Sequence, residues 1–408
     1  MTAREYPVFT VTPKAERSLR AGHPWVYGEE VTAVEGAYQN GDIVDVVSNK
    51  GRYLGTGWVN DHSKIRVRII SRNANDTFDE AFFRRRVCYA LNYRKTVMGP
   101  VDYRCCRLIF GEADQFPGLT VDRFENILVT QVLSLGMERR KDWVYRALVE
   151  LLREDGEQID AIYERNDVAI RTLEGLEQGK GFYQMEGLRT DLSGHVTITE
   201  NRIKYDVDYM EGQKTGFFLD QKYNRQAAAK LARGCRVLDC LTHTGAFALT
   251  AAAAGAEHVT AVDVSAFALE LAAENGKRNG LTNLDYKCAD VFDLLTEMAK
   301  EKKCDYDYII LDPPAFTKSR ATAKNAYHGY KEINRKAMRL LPRGGYLATC
   351  SCSHFMTDEM FRKMLQEAAL DAGVTLRQIE ARQQAPDHPI LPGVPETDYL
   401  KFYLLQVV

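Results

Sequence analysis

The sequence predicts an α/β chain whose C-terminal half is a Rossmann-like parallel sheet, preceded by a β-rich segment and a small α+β segment. Three observations predict the sheet. Short apolar runs end in an acid at residues 236–239, 259–263 and 308–312, and a weaker run, 283–290, ends the same way. Helical sequence separates them: alanine-rich 245–255, closed by glycine, and 267–275. Such sheets bind ligands outside the carboxyl ends of their strands, where Asp239, Asp263, Asp290 and Asp312 fall.

The chemistry of those ends narrows the ligand. An acid at Asp263 suits the ribose hydroxyls of a nucleoside-bearing cofactor. The first turn, 239–245, lacks G-x-G-x-x-G and G-x-x-x-x-G-K-[ST], which argues against a dinucleotide and a nucleoside triphosphate. An acid, a turn ending in one glycine, and an acid after the next strand suit S-adenosylmethionine. Expected cofactor residues are Asp239, Thr242, Gly245 and Phe247 for the methionine portion, Asp263 for ribose and Asp290 for the adenine amine. Asp312 of Asp312-Pro313-Pro314 joins them, as does Asp220 in a stretch, 213–225, that either closes over the cofactor or packs into the core. The plain alternative is four aspartates that only cap strands; Asp-Pro-Pro is a separate signal against it.

With 408 residues the chain is too long for one ordinary domain, and 45% hydrophobic residues can build real cores. A net charge of −2 leaves any nucleic-acid contact to local patches. Nine cysteines without metal-ligand spacing predict no metal site. Their odd count, with no signal peptide or long apolar run, predicts a reduced, soluble, cytoplasmic protein without membrane association. The oligomeric state stays open, a homodimer being one candidate.

Domains are expected at 1–72, 73–190 and 191–408. In the first, 8–11, 41–48 and 64–70 read as strands and 13–20 as a helix. Alternation sets Lys64, Arg66 and Arg68 on one strand face, a cationic stripe that is either an RNA contact or a solvated face. In the second, helices at 77–95 and 140–153 flank strands at 119–124 and 127–133, with further strands at 161–164 and 168–172. No nucleophile–base pair appears there, so a scaffold shaping a groove is favoured. The third opens with a hairpin, 195–209, and later carries helices at 325–341 and 358–373 and strands at 345–350 and 400–408.

An ordered set of motifs then resembles one family. His23-Pro-Trp-Val26, Glu112-Ala-Asp-Gln-Phe-Pro-Gly-Leu-Thr-Val-Asp122, Gln213-Lys-Thr-Gly-Phe-Phe-Leu-Asp-Gln221, Leu238 to Phe247, Asp312-Pro-Pro-Ala-Phe316 and Ser351-Cys-Ser353 are similar to the RlmI-type 23S ribosomal RNA cytosine-5 methyltransferases. The resemblance spans nearly the whole chain. It implies an N-terminal PUA RNA-binding domain, an α+β middle domain and a class I methyltransferase domain acting on 23S rRNA.

It also implies a mechanism. Cytosine C5 is a poor nucleophile until a thiolate adds to C6, and protonation at N3 assists. Cys352, at the end of the fifth core strand, is the expected nucleophile, and Asp312, at the end of the fourth, the acid near the ring. Cys350, two residues earlier, is expected deeper in the sheet. Ala315 stands where other RNA cytosine-5 methyltransferases carry a second cysteine, so the base that removes the C5 proton is unassigned. Two other readings remain: amino methylation of a purine by Asp-Pro-Pro without a thiol, and a non-catalytic RNA-binding protein on the same fold.

Overall fold

The computed structural model describes residues 5–301, 304–317 and 322–408. The chain divides into two units. The first holds residues 1–198, 207–219 and 386–397; the second holds 199–206, 220–385 and 398–408.

Two sheets build the first unit. A six-stranded sheet runs in the order Trp25–Tyr27, Ile65–Ser71, Tyr53–Val59, Ile43–Ser48, Val8–Val11, Val31–Glu35. Alternation along these strands gives its core, with Phe9, Val11, Val44, Val46, Val67 and Ile69 buried together. A five-stranded sheet runs Gly179–Phe182, Ala161–Asn166, Ile127–Val132, Leu119–Phe124, Cys105–Phe110, with helices Glu80–Val97 and Lys141–Glu154 packed on each other. The strand expected at 168–172 is instead a 3-10 helix, Ala169–Glu174. Its apolar side chains did not alternate into the core: Ile170 and Leu173 are exposed, while the Arg171 guanidinium turns inward to the Glu177 carbonyl at 2.7 Å. Left-handed Gly175 ends the turn, and Gly179–Phe182 supplies the edge strand. The expected hairpin forms from His195–Glu200 and Ile203–Asp208, turning through left-handed Asn201 and Arg202.

The second unit is a seven-stranded sheet with helices. Its strands are β1 (Arg236–Cys240), β2 (His258–Asp263), β3 (Leu284–Cys288), β4 (Tyr308–Leu311), β5 (Tyr346–Ser351), β6 (Leu376–Arg382) and β7 (Lys401–Val407). Their order is β3-β2-β1-β4-β5-β7-β6, parallel from β3 to β5, with β7 antiparallel to both β5 and β6. Helices are α1 (Lys222–Ala229), α2 (Ala246–Ala253), α3 (Ala266–Arg278), α4 (Val291–Glu301), α5 (Ala323–Leu340) and α6 (Asp358–Ala372). The four acid-ended runs are β1 to β4. Each is buried on both faces except β3, an edge strand with a mostly exposed or half-exposed sequence. Strand order reverses between β1 and β4, the position where a sheet of this kind opens a ligand crevice. Edge strand β6 was not anticipated; Arg377, Gln378 and Glu380 interrupt its apolar pattern. No helix among the described residues is long and apolar enough to cross a membrane.

Candidate active site

Strand β1 delivers Asp239, fully buried, and the chain then turns through three left-handed residues. Leu241 has φ 63°, His243 φ 53° and Gly245 φ 84°. Non-glycine residues there cost about 1 kcal/mol or more each, so the loop must be held from outside. Thr242 N donates to the Val262 carbonyl and His243 N to Asp263 Oδ2, each at 2.9 Å. Gly245 is needed for its φ and for space: a Cβ there would lie 2.9 Å from the Ala272 Cβ.

Asp239 Oδ2 accepts the Thr242 hydroxyl at 2.5 Å, whereas its buried Oδ1 has no partner among the described residues. An orphaned buried acceptor is costly and marks a place for an incoming donor. Burial, then the charges of Asp312 and Asp263, push the Asp239 carboxyl up to about 7 against hydrogen bonding from the Thr242 hydroxyl and the Ala248 N–H. A cationic donor there would meet both an empty acceptor and a charge in need of compensation.

Asp263, at the end of β2, is half-buried; its Oδ2 takes His243 N and its Oδ1 takes Ser265 N at 2.9 Å. It therefore fixes two loops while keeping further acceptor capacity on both oxygens. Asp290 is exposed, and its Oδ1 takes the N–H groups of Phe292 and Asp293, the first turn of α4. Phe247 lies elsewhere: its ring is buried and stacks with Phe402, centroids 6.3 Å apart. Orphaned Asp239, the close approach at Gly245 and the acceptors of Asp263 and Asp290 fit a cofactor with a cationic end, a ribose and an adenine amine.

Asp312, just past β4, is half-buried and accepts from Gln221 Nε2 at 3.0 Å; Gln221 Oε1 in turn accepts from Asn224 at 2.7 Å. Burial, then the Asp220 charge, push its carboxyl up to about 6, opposed by Arg225 and by hydrogen bonds from Gln221 and the Cys350 thiol. Asp220 is itself held by the Tyr399 hydroxyl at 2.6 Å. Arg225 is locked to buried Glu200 by two hydrogen bonds of 2.6 and 2.9 Å. Cys350 is fully buried in the core with Phe247 and Phe402, and burial drives its thiol well above the usual range. Cys352 lies beyond the end of β5 and is half-buried, its Sγ 4.0 Å from the Pro313 carbonyl oxygen. The structure thus brings Cys352, Asp312 and Asp239 to the carboxyl ends of neighbouring strands β5, β4 and β1.

Sequence reasoning missed the polar frame behind these groups: Gln221, Asn224, the Arg225–Glu200 pair, Tyr399 and Lys401. Lys401 carried the one usable signal, a lone cation opening the apolar run 400–405.

In the first unit, Lys64 is exposed. Arg66 pairs with Asp61 at 2.7 Å and donates to the Tyr38 hydroxyl at 2.9 Å. Arg68 pairs with Glu174 at 2.8 Å and Glu112 at 3.5 Å, lies over the Trp25 ring, and is largely buried.

Residues 9–72 match the family profile of a PUA-like domain, and residues 183–405 that of an S-adenosylmethionine-dependent methyltransferase. The ribosomal RNA large subunit methyltransferase I of Pseudoalteromonas atlantica is 40% identical over 401 residues, 98% of this chain and 99% of that protein. The protein of the same name from Shewanella denitrificans is 42% identical over 399 residues, 97% and 98% of the two chains. A structure from Streptococcus mutans, assigned as a SAM-dependent methyltransferase, superposes with a TM-score of 0.81 at 22% identity, covering 98% of this chain and 100% of its own. SMU.776, assigned as a methyltransferase and complexed with SAH, gives a TM-score of 0.82 at 22% identity over the same shares. Both share the fold. With near-complete coverage by such relatives, the chain belongs to the ribosomal RNA large subunit methyltransferase I family, S-adenosylmethionine-dependent methyltransferases that carry an N-terminal PUA-like domain.

Proposed function

We propose that this enzyme methylates C5 of a cytosine in 23S ribosomal RNA, working in the cytoplasm, with Cys352 as the nucleophile that adds to C6. One observation carries the reading: Cys352 alone of the two thiols near β5 is partly accessible, and its sulfur lies against the Asp312-Pro313 segment. Asp312, with its carboxyl raised to about 6, is suited to hold a proton near the base N3 as the C6 adduct forms. Bound S-adenosylmethionine supplies an electrophilic methyl group. Asp239 would hold its ammonium, the Thr242–Gly245 turn and the backbone at Phe247 its methionine portion, Asp263 the ribose and Asp290 the adenine amine. Asp220, held by the Tyr399 hydroxyl, adds a negative charge that raises the Asp312 carboxyl and completes the cofactor-side set of acids. The target base must stand clear of its stack, which favours a loop or unpaired nucleotide.

Within the same reading, 1–72 is the RNA-gripping domain, 73–190 a middle scaffold and 191–408 the catalytic domain. RNA contact through Lys64, Arg66 and Arg68 falls first to Lys64, since both arginines already hold carboxylates.

Nucleoside mass spectrometry of 23S rRNA methylated in vitro tests the proposal. Wild-type enzyme should form 5-methylcytosine, and Cys352→Ala should form none while keeping its cofactor affinity. Full activity in Cys352→Ala, with an N-methylated purine as product, would replace this reading by amino methylation.

A further inference from the structure

Lys401 opens β7 and has only 4% of its surface exposed. Its Nζ donates to the Ser353 carbonyl at 2.7 Å and to the Tyr399 carbonyl at 2.8 Å. Ser353 is the residue directly after Cys352, and Lys401 stands opposite Ser351 in the β5–β7 ladder. The amine is therefore fixed between the carbonyl of the residue next to the thiol and a carbonyl of its own segment.

No carboxylate reaches Lys401 within ion-pair distance among the described residues. Asp398 just before β7, Asp358 at the start of α6 and the Cys352 thiol itself act on it only through their charge. From α5, Tyr330 is hydrogen-bonded to the Ser353 hydroxyl at 3.1 Å and also feels Cys352; from β4, Asp312 acts on Cys350. Farther along β7, Tyr403 is engaged with Asp358 and Arg362. A buried ammonium with two neutral carbonyls as its partners is poorly compensated. Burial accordingly brings Lys401 down to about 8, so its ammonium gains from a neighbouring anion.

An ordinary thiol at neutral pH is only a few per cent thiolate, so a nucleophilic cysteine needs a neighbouring base or cation. We propose that Lys401 is the positioning residue for Cys352: its ammonium, fixed to the carbonyl of the residue after the thiol, stabilises the thiolate that adds to C6. This rests on the reading of Cys352 as nucleophile. In the step, the S–H bond breaks, its electron pair stays on sulfur, and the proton passes to solvent at the partly exposed thiol. If Lys401 served only to pin β7 to the turn after β5, the reactivity of Cys352 would not depend on its charge.

The test is the pH profile of iodoacetamide alkylation at Cys352 in the full chain, read by peptide mass spectrometry with exposed Cys288 as internal reference. In wild type, the Cys352 profile should turn over at lower pH than that of Cys288. Lys401→Met should slow Cys352 alkylation at pH 7 by about tenfold and move its profile upward, with Cys288 unchanged. Lys401→Arg, a permanent cation, should keep alkylation fast. Coincident profiles for wild-type Cys352 and Cys288 would overturn the proposal, and this needs no variant to fold. A Lys401→Met profile superposed on wild type, with cofactor affinity intact, would overturn it too. Methyl transfer by Cys352→Ala separates the two claims: loss of transfer with no effect of Lys401 on alkylation removes Lys401 alone, whereas retained transfer removes the thiol mechanism itself.

Discussion

At the scale of single residues, the site is a set of groups whose neighbours leave them incomplete. Asp239 is the sharpest case, with one buried oxygen unpartnered and a carboxyl raised to about 7. Its raised value means that the folded apoprotein holds a proton the unfolded chain has lost between about pH 4 and 7, so this group lowers stability as pH rises through that window. Ionised Asp239 is the form that would hold an ammonium, so cofactor binding should release a proton. Calorimetry at pH 6.5 in buffers of different ionisation enthalpy should show that release, affinity should rise from pH 6 to 8 and then level off, and Asp239→Asn should abolish both trends. If Asp263 holds the ribose as proposed, Asp263→Ala should weaken cofactor binding by about 1–3 kcal/mol, since the His243 and Ser265 amides lose their acceptor as well. Cys350→Ala should retain methyl transfer and lose about 1 kcal/mol of packing in a denaturant titration, because its sulfur is core.

At the scale of elements, the frame behind the site matters as much as the acids in front. The Arg225–Glu200 pair joins α1 to the hairpin strand His195–Glu200 and is buried at both ends. Arg225→Leu should cost about 3–5 kcal/mol in chemical denaturation, because Glu200 would be left charged and unpaired; a loss below 1 kcal/mol would show that water reaches Glu200. Strands β1, β2 and β4 were legible in the sequence because burial on both faces makes each a continuous apolar run ending where polarity returns. The acids end those runs, so their places at the strand ends were legible with them. The edge strand β6 and the helix Ala169–Glu174 were not, because their side chains answer to long-range partners rather than to a local period. The same reason hid Gln221 behind Asp312: residues 91 apart meet only once the sheet is formed.

At the scale of the molecule, a net charge of −2 leaves recognition of a polyanion to local features. The cationic stripe read from 64–68 is divided by the fold: Lys64 faces solvent, while Arg68 joins the first sheet to Glu174 and Glu112. Lys64→Ala should reduce the slope of log affinity for rRNA against log salt by about 0.7–0.9, and Arg68→Met should act mainly on stability. The central claim, a thiolate of Cys352 adding to cytosine C6, is tested most directly by rRNA carrying 5-fluorocytosine at the target. After methyl transfer to C5 no proton remains to be removed, so the adduct cannot resolve. With S-adenosylmethionine present, the account predicts a covalent protein–RNA complex whose peptide mass spectrum places the crosslink on Cys352, absent from Cys352→Ala. A methylated product without any covalent complex, or a crosslink on Cys350, would contradict it.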